Sequence, residues 1–190
     1  LLEADNLTTQ QRSMLCLVRK NVDVMLRLVG EILDLRKIQN RKMQLSVSRF
    51  NLSEYVSQWV ANFEPLADSK DVELSVDCGS ETVIEADLYK VERICYNLIS
   101  NAIKYNRKGG RINVKVSVEE PMAVIVVSDT GIGIPRDKIA HVFDRFFQAS
   151  GENRGGTGIG LAIVKAFVEL HHGEVTADGN ADGGAVFTVK

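Results

Sequence analysis

"NRGGTGIGLAIVK", residues 153–165, is the stretch on which the reading of this chain turns. Glycine recurs at 155, 156, 158 and 160, and the run then passes into an apolar helix pattern. Glycines ahead of a helix expose backbone N–H groups. The helix N-terminus behind them carries partial positive charge, and the combination suits phosphate. The stretch is not G-x-x-x-x-G-K-[ST], so it is no Walker P-loop. It is not G-x-G-x-x-G behind a strand, so the dinucleotide fingerprint fails. The H-R-D and D-F-G sets of the Ser/Thr kinases are absent as well. Taken alone, a mobile surface loop would carry the same letters.

Two further stretches narrow the reading. In "SDTGIGIP", residues 128–135, Asp129 ends the very apolar strand "AVIVV". A carboxylate there faces a pocket at the strand terminus and can accept a hydrogen bond from an exocyclic amine such as that of adenine. Gly131 and Gly133 let the chain turn close to a flat ring. A strand-ending turn with a solvated Asp is the plainer alternative. In "NLISNAIKYN", residues 97–106, Asn97, Asn101 and Lys104 fall at i, i+4 and i+7 and share one helix face. Asn101 can offer a carbonyl oxygen to Mg²⁺, a hard cation that keeps several waters and shares phosphate oxygens. Lys104 can neutralise phosphate charge. A solvated polar face would look similar, but Asn is a mediocre helix former and two in one row need a reason.

The remaining chain supplies the frame. Residues 7–42 hold no Pro and read as one long helix, with Leu15, Val18, Val22, Met25, Val29 and Ile32 alternating by three and four. That is a heptad seam, which one helix cannot bury alone. "QLSVSRF" (44–50) and "VELSVDC" (72–78) read as strands. The stretch 51–70 between them reads as a helix capped by Asn51, with Pro65 breaking it late. Residues 86–106 form an amphipathic helix with Leu88, Val91, Cys95, Leu98 and Ala102 on one face. Two adjacent strands follow at 109–120 and 122–129, then a polar Gly-rich loop over 147–157, a helix over 158–171 and a closing hairpin. This order predicts an α+β fold, a two-layer α/β sandwich whose mixed sheet is covered on one face by helices.

Composition excludes several classes. The chain has 190 residues, 45% apolar and 25% charged, with a net charge of −2, so no bulk electrostatic grip on nucleic acid or anionic lipid is expected. No apolar run approaches the roughly 20 residues of a membrane span. The N-terminus "LLEADNLTTQ" lacks the pattern of a signal peptide and begins without Met, as a fragment would. Cys16, Cys78 and Cys95 are odd in number and form no C-x-x-C, so they read as reduced, mostly buried thiols of a cytosolic protein.

Asn97–Asn101–Lys104, Asp129–Gly131–Gly133, Phe143–Phe146 and Gly156–Gly158–Gly160 occur in one order and spacing. That order resembles the N, G1, F and G2 boxes of the ATP-binding domain of sensor histidine kinases, a group related to gyrase, Hsp90 and MutL. The resemblance covers residues 50–190. The heptad helix ending "EILDLRKIQNRKMQL" looks like the second helix of the dimerisation and histidine-phosphotransfer bundle that precedes this domain. The implied division is 1–45 for the partial bundle helix and 46–190 for the ATP-binding domain.

The resemblance implies a role for each matched residue. Asn101 is the Mg²⁺ ligand, with Asn97 close to phosphates or metal. Lys104 contacts phosphate, and Tyr105 and Ile134 lie near the nucleotide. Asp129 binds the adenine amine, beside Gly131 and Gly133. Phe143 to Phe147, Phe146 among them, anchor one end of an ATP lid, and Arg145 reaches the γ-phosphate. Gly156, Thr157, Gly158, Gly160 and Leu161 form the other, phosphate-facing end. The cofactors implied are ATP and Mg²⁺.

One position separates kinase from ATPase. Gyrase-like relatives carry a Glu one turn before the magnesium-binding Asn, where this chain has Asn97. An amide cannot accept a proton at neutral pH, so water is not activated and a histidine imidazole is the expected nucleophile. The acceptor motif, a His followed by an acidic residue, is missing. His141, His171 and His172 sit in other contexts and are not expected to serve. The implied partners are the acceptor-His helix of the parent kinase, a response regulator or receiver domain, and a second copy through the N-terminal helix. The implied location is cytoplasmic, with a membrane-anchored parent. Two alternatives stand beside the kinase: a regulatory module that binds nucleotide without turnover, and an ATPase of the gyrase and Hsp90 type.

Overall fold

The computed structural model describes residues 8–40, 43–148, 157–180 and 183–190. The chain divides into two compact units, residues 1–43 and 44–190. The first is one helix, α1 (Thr9–Gln39). It starts in a reciprocal capping box, in which Thr8 accepts from the Gln11 N–H while the Gln11 side chain accepts from the Thr8 N–H. Arg36 and Lys37 complement the dipole in its last turn. Of the expected heptad positions, Leu15 is half-buried, while Val18, Val22, Met25, Val29 and Ile32 are exposed. Among the described residues no helix is long and apolar enough to cross a membrane.

The second unit is an α+β sandwich. β1 (Ser48–Asn51) pairs antiparallel with β3 (Val83–Ala86) in a small two-stranded sheet. The main sheet comprises β2 (Val72–Asp77), β4 (Gly110–Glu119), β5 (Met122–Asp129), β6 (Val175–Gly179) and β7 (Ala185–Val189), in the order β2-β4-β5-β7-β6. β2 runs parallel to β4 and the other neighbours are antiparallel, so the sheet is mixed as expected. Register decides its faces. Ile112, Val114 and Val116 of β4 lie opposite Asp129, Val127 and Ile125 of β5, all of them buried. The alternating residues Arg111, Asn113, Lys115 and Ser117 point to the more open face.

Helices cover the apolar face. α2 (Leu52–Ala61) is capped by Asn51, whose Oδ1 accepts from the Glu54 N–H. The break falls at Asn62–Phe63, and Pro65 opens the short α3 (Glu64–Asp68) rather than ending α2. A proline is tolerated in a first helical turn, where its missing N–H has no partner to lose. α4 (Leu88–Lys104) packs against α5 (Gly160–Leu170) and α2. Leu98, Ile99, Ile103, Ile163 and Phe167 are essentially fully buried. Each such side chain contributes about 1.5–3 kcal/mol relative to exposure. Cys95 also lies in this core, and burial pushes its thiol up to about 12. Cys78 is half-buried and Cys16 is exposed, so only one of the three thiols is in the core.

Asp87 ties the start of this unit to two helices. It caps α4 by accepting from the Lys90 N–H, and its Oδ2 accepts from the Ser46 N–H and the Lys90 ammonium. Burial pushes this carboxyl up. The Lys90 side chain and the two backbone N–H groups outweigh that and hold it below the usual carboxylate range. The Asp87 N–H in turn donates to His171 Nε2 (3.0 Å), at the end of α5.

Candidate functional site

A cavity of about 370 Å³ opens between α4, the C-terminal end of β5 and the first turn of α5. Three separated stretches of the sequence meet there, for separate reasons. α4 is held by its buried stripe, so its polar stripe turns to the cavity edge and supplies Asn101, Lys104 and Tyr105. β5 runs through the sheet centre and delivers Asp129 at its tip, followed by Ile132, Gly133 and Ile134. α5 supplies Gly158, Gly160 and Leu161 at its uncapped N-terminal end.

Asp129 is the buried charge of the site, only 6% exposed. Its Oδ1 accepts from the Gly131 N–H (2.8 Å) and the Ala185 N–H (3.2 Å). Among the described residues Oδ2 accepts no hydrogen bond. Burial pushes the carboxyl up, and the two N–H groups pull the other way without cancelling it. A half-satisfied carboxylate at the wall of a cavity fits a ligand that brings a hydrogen-bond donor.

At the other end of the cavity the polar groups engage one another. Lys104 Nζ donates to the Tyr105 hydroxyl (2.9 Å). Asn97 Nδ2 donates to the Arg93 carbonyl (2.8 Å), and Asn97 does not line the cavity. A Cβ on Gly160 would lie 2.7 Å from Asn97 Oδ1, so the two helices touch at this point. Among the described residues no cluster of three His, Cys, Asp or Glu side chains assembles. A cation held at the Asn101 carbonyl would therefore take most of its oxygens from phosphate and water, as Mg²⁺ does.

The remaining expected residues divide. Arg145 and Phe146 are exposed and do not line the cavity; Phe147 and Gln148 do. The reason is local: Phe146 sits at φ +64°, which swings its ring outward and leaves its neighbour facing in. The Phe146 N–H donates to the Gly158 carbonyl (2.9 Å), so the two ends of the 147–157 loop are tied together. Gly158 itself has φ +68°, and a Cβ there would lie 2.6 Å from the Phe146 carbonyl carbon, so only glycine fits. Gly131 acts through its N–H rather than by lining the cavity, and Thr157 accepts from the Ile159 N–H. Gly156 lies outside the described residues.

The sequence reading missed the contribution of β7. Ala185 and Phe187 line the cavity, beside Ala102, Pro135 and Val142. The adjacent glycines 183 and 184 were a usable signal, since both take positive φ at the turn entering β7. Of the three histidines, His141 pairs with Asp144 on the surface (2.8 Å). His171 Nδ1 lies 2.7 Å from the Phe167 carbonyl and so carries the ring proton, leaving Nε2 as acceptor. His172 sits exposed at φ +61°, just past the end of α5.

Comparison with known proteins agrees with this arrangement. Residues 86–190 match the family described as Histidine kinase-, DNA gyrase B-, and HSP90-like ATPase. The sensor histidine kinase TmoS of Ectopseudomonas mendocina is 40% identical over 177 residues, covering 91% of this chain and 18% of TmoS. The hybrid signal transduction histidine kinase D of Dictyostelium discoideum is 39% identical over 199 residues, covering all of this chain and 13% of that protein. This chain thus spans less than a fifth of the length of these two relatives. Among solved structures, full-length ShkA in complex with AMPPNP superposes with a TM-score of 0.83 at 28% identity, over 99% of this chain and 40% of ShkA. The chain belongs to the family of histidine kinase-, DNA gyrase B- and HSP90-like ATPases, and the relatives it resembles are sensor histidine kinases.

Proposed function

We propose that this chain is the ATP-binding catalytic part of a sensor histidine kinase, which binds Mg-ATP in the cavity and transfers the γ-phosphate to a histidine on a bundle helix. The observation that carries this reading is the meeting of Asn101, Lys104, Asp129 and the α5 N-terminus around one cavity. The residues fit the ligand. A buried carboxylate with one unengaged oxygen matches an amine-bearing base, apolar Ile132, Ile134 and Phe187 match its flat faces, and an uncapped helix start matches phosphate. Bound Mg-ATP supplies an electrophilic phosphoryl group whose charge the metal partly neutralises.

The chain's own residues then do the positioning. Asp129 holds the base by accepting from its exocyclic amine, with Gly131 and Ala185 fixing the carboxylate. Asn101 offers a metal-ligand oxygen, and Lys104 places a cation at the phosphates beside Tyr105. Gly158, Gly160 and Leu161 bring backbone N–H groups to the triphosphate. Asn97 holds no proton-accepting group at neutral pH, so water near the phosphates is not deprotonated and the γ-phosphate awaits a better nucleophile. Arg145 and Gly156 act from the lid. The exposed stripe of α1 joins a partner helix, through a second copy, in a bundle that carries the acceptor histidine. A response regulator receives the phosphate, and the parent protein is membrane-anchored with this part in the cytoplasm.

The test uses γ-labelled ATP and a separate acceptor-His helix from the parent protein. The expected result is acid-labile label on that helix and none on this chain alone. Label on His141, His171 or His172, or steady phosphate release without an acceptor, would overturn the assignment, the latter in favour of an ATPase.

A further inference from the structure

We propose that Asn180 is a positioning residue for Asp129, holding its carboxylate at the angle that reads the exocyclic amine of adenine. This rests on the reading of Asp129 as the base-binding group. The β5–β7 ladder runs from Ile125↔Val189 to Ser128↔Val186 and stops one residue short of Asp129. The β6–β7 ladder stops at Gly179↔Ala185. Asn180 therefore stands just beyond both ladders, in the turn between β6 and β7.

That turn and the first residue of β7 reach Asp129 at three points. Asn180 Nδ2 donates to the Asp129 main-chain carbonyl (2.8 Å). The Gly184 backbone lies so close to the same carbonyl that a Cβ there would collide with it, and its φ of +92° is glycine's as well. The Ala185 N–H donates to the carboxylate Oδ1 (3.2 Å). Of the two donors on Oδ1, Gly131 is two residues away along the chain, while Ala185 reaches it from the first residue of β7, one position past the last β5–β7 pair and beside the turn that Asn180 ties to β5. Asn180 makes a side-chain bond across that gap, and its own backbone is fixed by Asn180 N–H to the Gly184 carbonyl (3.2 Å) and Gly183 N–H to the Asn180 carbonyl (3.0 Å).

The chemistry asks for a neutral donor of this length. Alanine loses the bond and leaves the Asp129 carbonyl without it. Aspartate has no proton to donate at neutral pH and brings a second negative charge beside a buried carboxylate. In either case the turn loosens, the Ala185 N–H moves off Oδ1, and Asp129 loses its orientation while the rest of the cavity stays.

The experiment measures affinity for ATP and for purine riboside triphosphate, which lacks the exocyclic amine, in the 190-residue chain. The readout is the ratio of the two affinities. In the wild type ATP is favoured. Asn180→Ala should lower the ratio about three- to tenfold, the scale of one neutral hydrogen bond, with purine analogue binding unchanged within about twofold. Asn180→Asp should lower it further, and Asn180→Ser, which keeps a donor, should recover part of it and serves if the other variants fail to fold. Equal losses for both nucleotides, or an unchanged ratio, would overturn the role of Asn180. Asp129→Asn is the control: if it leaves the ratio intact, the base-binding reading itself fails, whatever Asn180 does.

Discussion

The two ends of the cavity differ in how their polar groups are engaged. At the Asp129 end the carboxylate is held by backbone and its main chain by one side chain: the Gly131 and Ala185 N–H groups hold Oδ1, and the Asn180 side-chain amide holds the carbonyl. Among the described residues Oδ2 accepts no hydrogen bond. At the Lys104 end the side chains hold one another: Lys104 bonds Tyr105, Asn97 bonds the Arg93 carbonyl, and Arg145 stands outside the cavity. On the proposed reading, the base-binding end is held in place by the fold, whereas the phosphate-side groups would exchange partners to meet a ligand.

The largest expected effect falls at the preformed end. Asp129→Asn keeps the shape but replaces a charged acceptor, and ATP affinity should drop about ten- to a hundredfold, the scale of a buried hydrogen bond to a charged group. The loss should appear with adenosine as well as with ATP. The same substitution should not destabilise the nucleotide-free protein. Burial raises the Asp129 carboxyl in the folded state, so its contribution to stability is full below the usual carboxylate pKa of about 3.9 and is lost as pH rises through the folded value. At pH 7 the ionised group is a burden that asparagine removes. Thermal unfolding of the Asn variant should match or exceed wild type at pH 7, with the difference shrinking toward pH 4. A loss of affinity below twofold, or a clear drop in unfolding temperature, would break the contrast from its rigid side.

A smaller effect should fall at the other end. Gly158→Ala forces a Cβ into a left-handed residue 2.6 Å from the Phe146 carbonyl carbon. The strain is about 1–2 kcal/mol, measurable by denaturant titration. ATP affinity should fall severalfold while adenosine affinity stays unchanged, because the tie between Phe146 and Gly158 serves the phosphate side alone. Equal losses for both ligands would erase the distinction between the two ends.

Much of the site was legible because its parts are local. The i, i+4, i+7 row of Asn97, Asn101 and Lys104 and the apolar strand ending in Asp129 are each contained in one element, and side-chain periodicity displays them directly. What escaped was set by pairing across the chain. β3, "VIEA", is too short to show an alternation and exists through its partner β1, more than thirty residues away. The part of β7 in the cavity, through Ala185 and Phe187, follows from its pairing with β5, for which the glycines 183 and 184 marked the turn but not the partner. The exchange of Phe146 for Phe147 hangs on one positive φ. Asn180 gave no local sign at all, since its partner lies 51 residues earlier.

The most direct test of a single nucleotide bridging Asp129 and Asn101 is calorimetric titration of wild type and Asn101→Ala with adenosine and with Mg-ATP. The expected result is unchanged adenosine affinity and a Mg-ATP affinity reduced about tenfold, close to that of wild type without Mg²⁺. Wild-type affinity for Mg-ATP in the variant would contradict it.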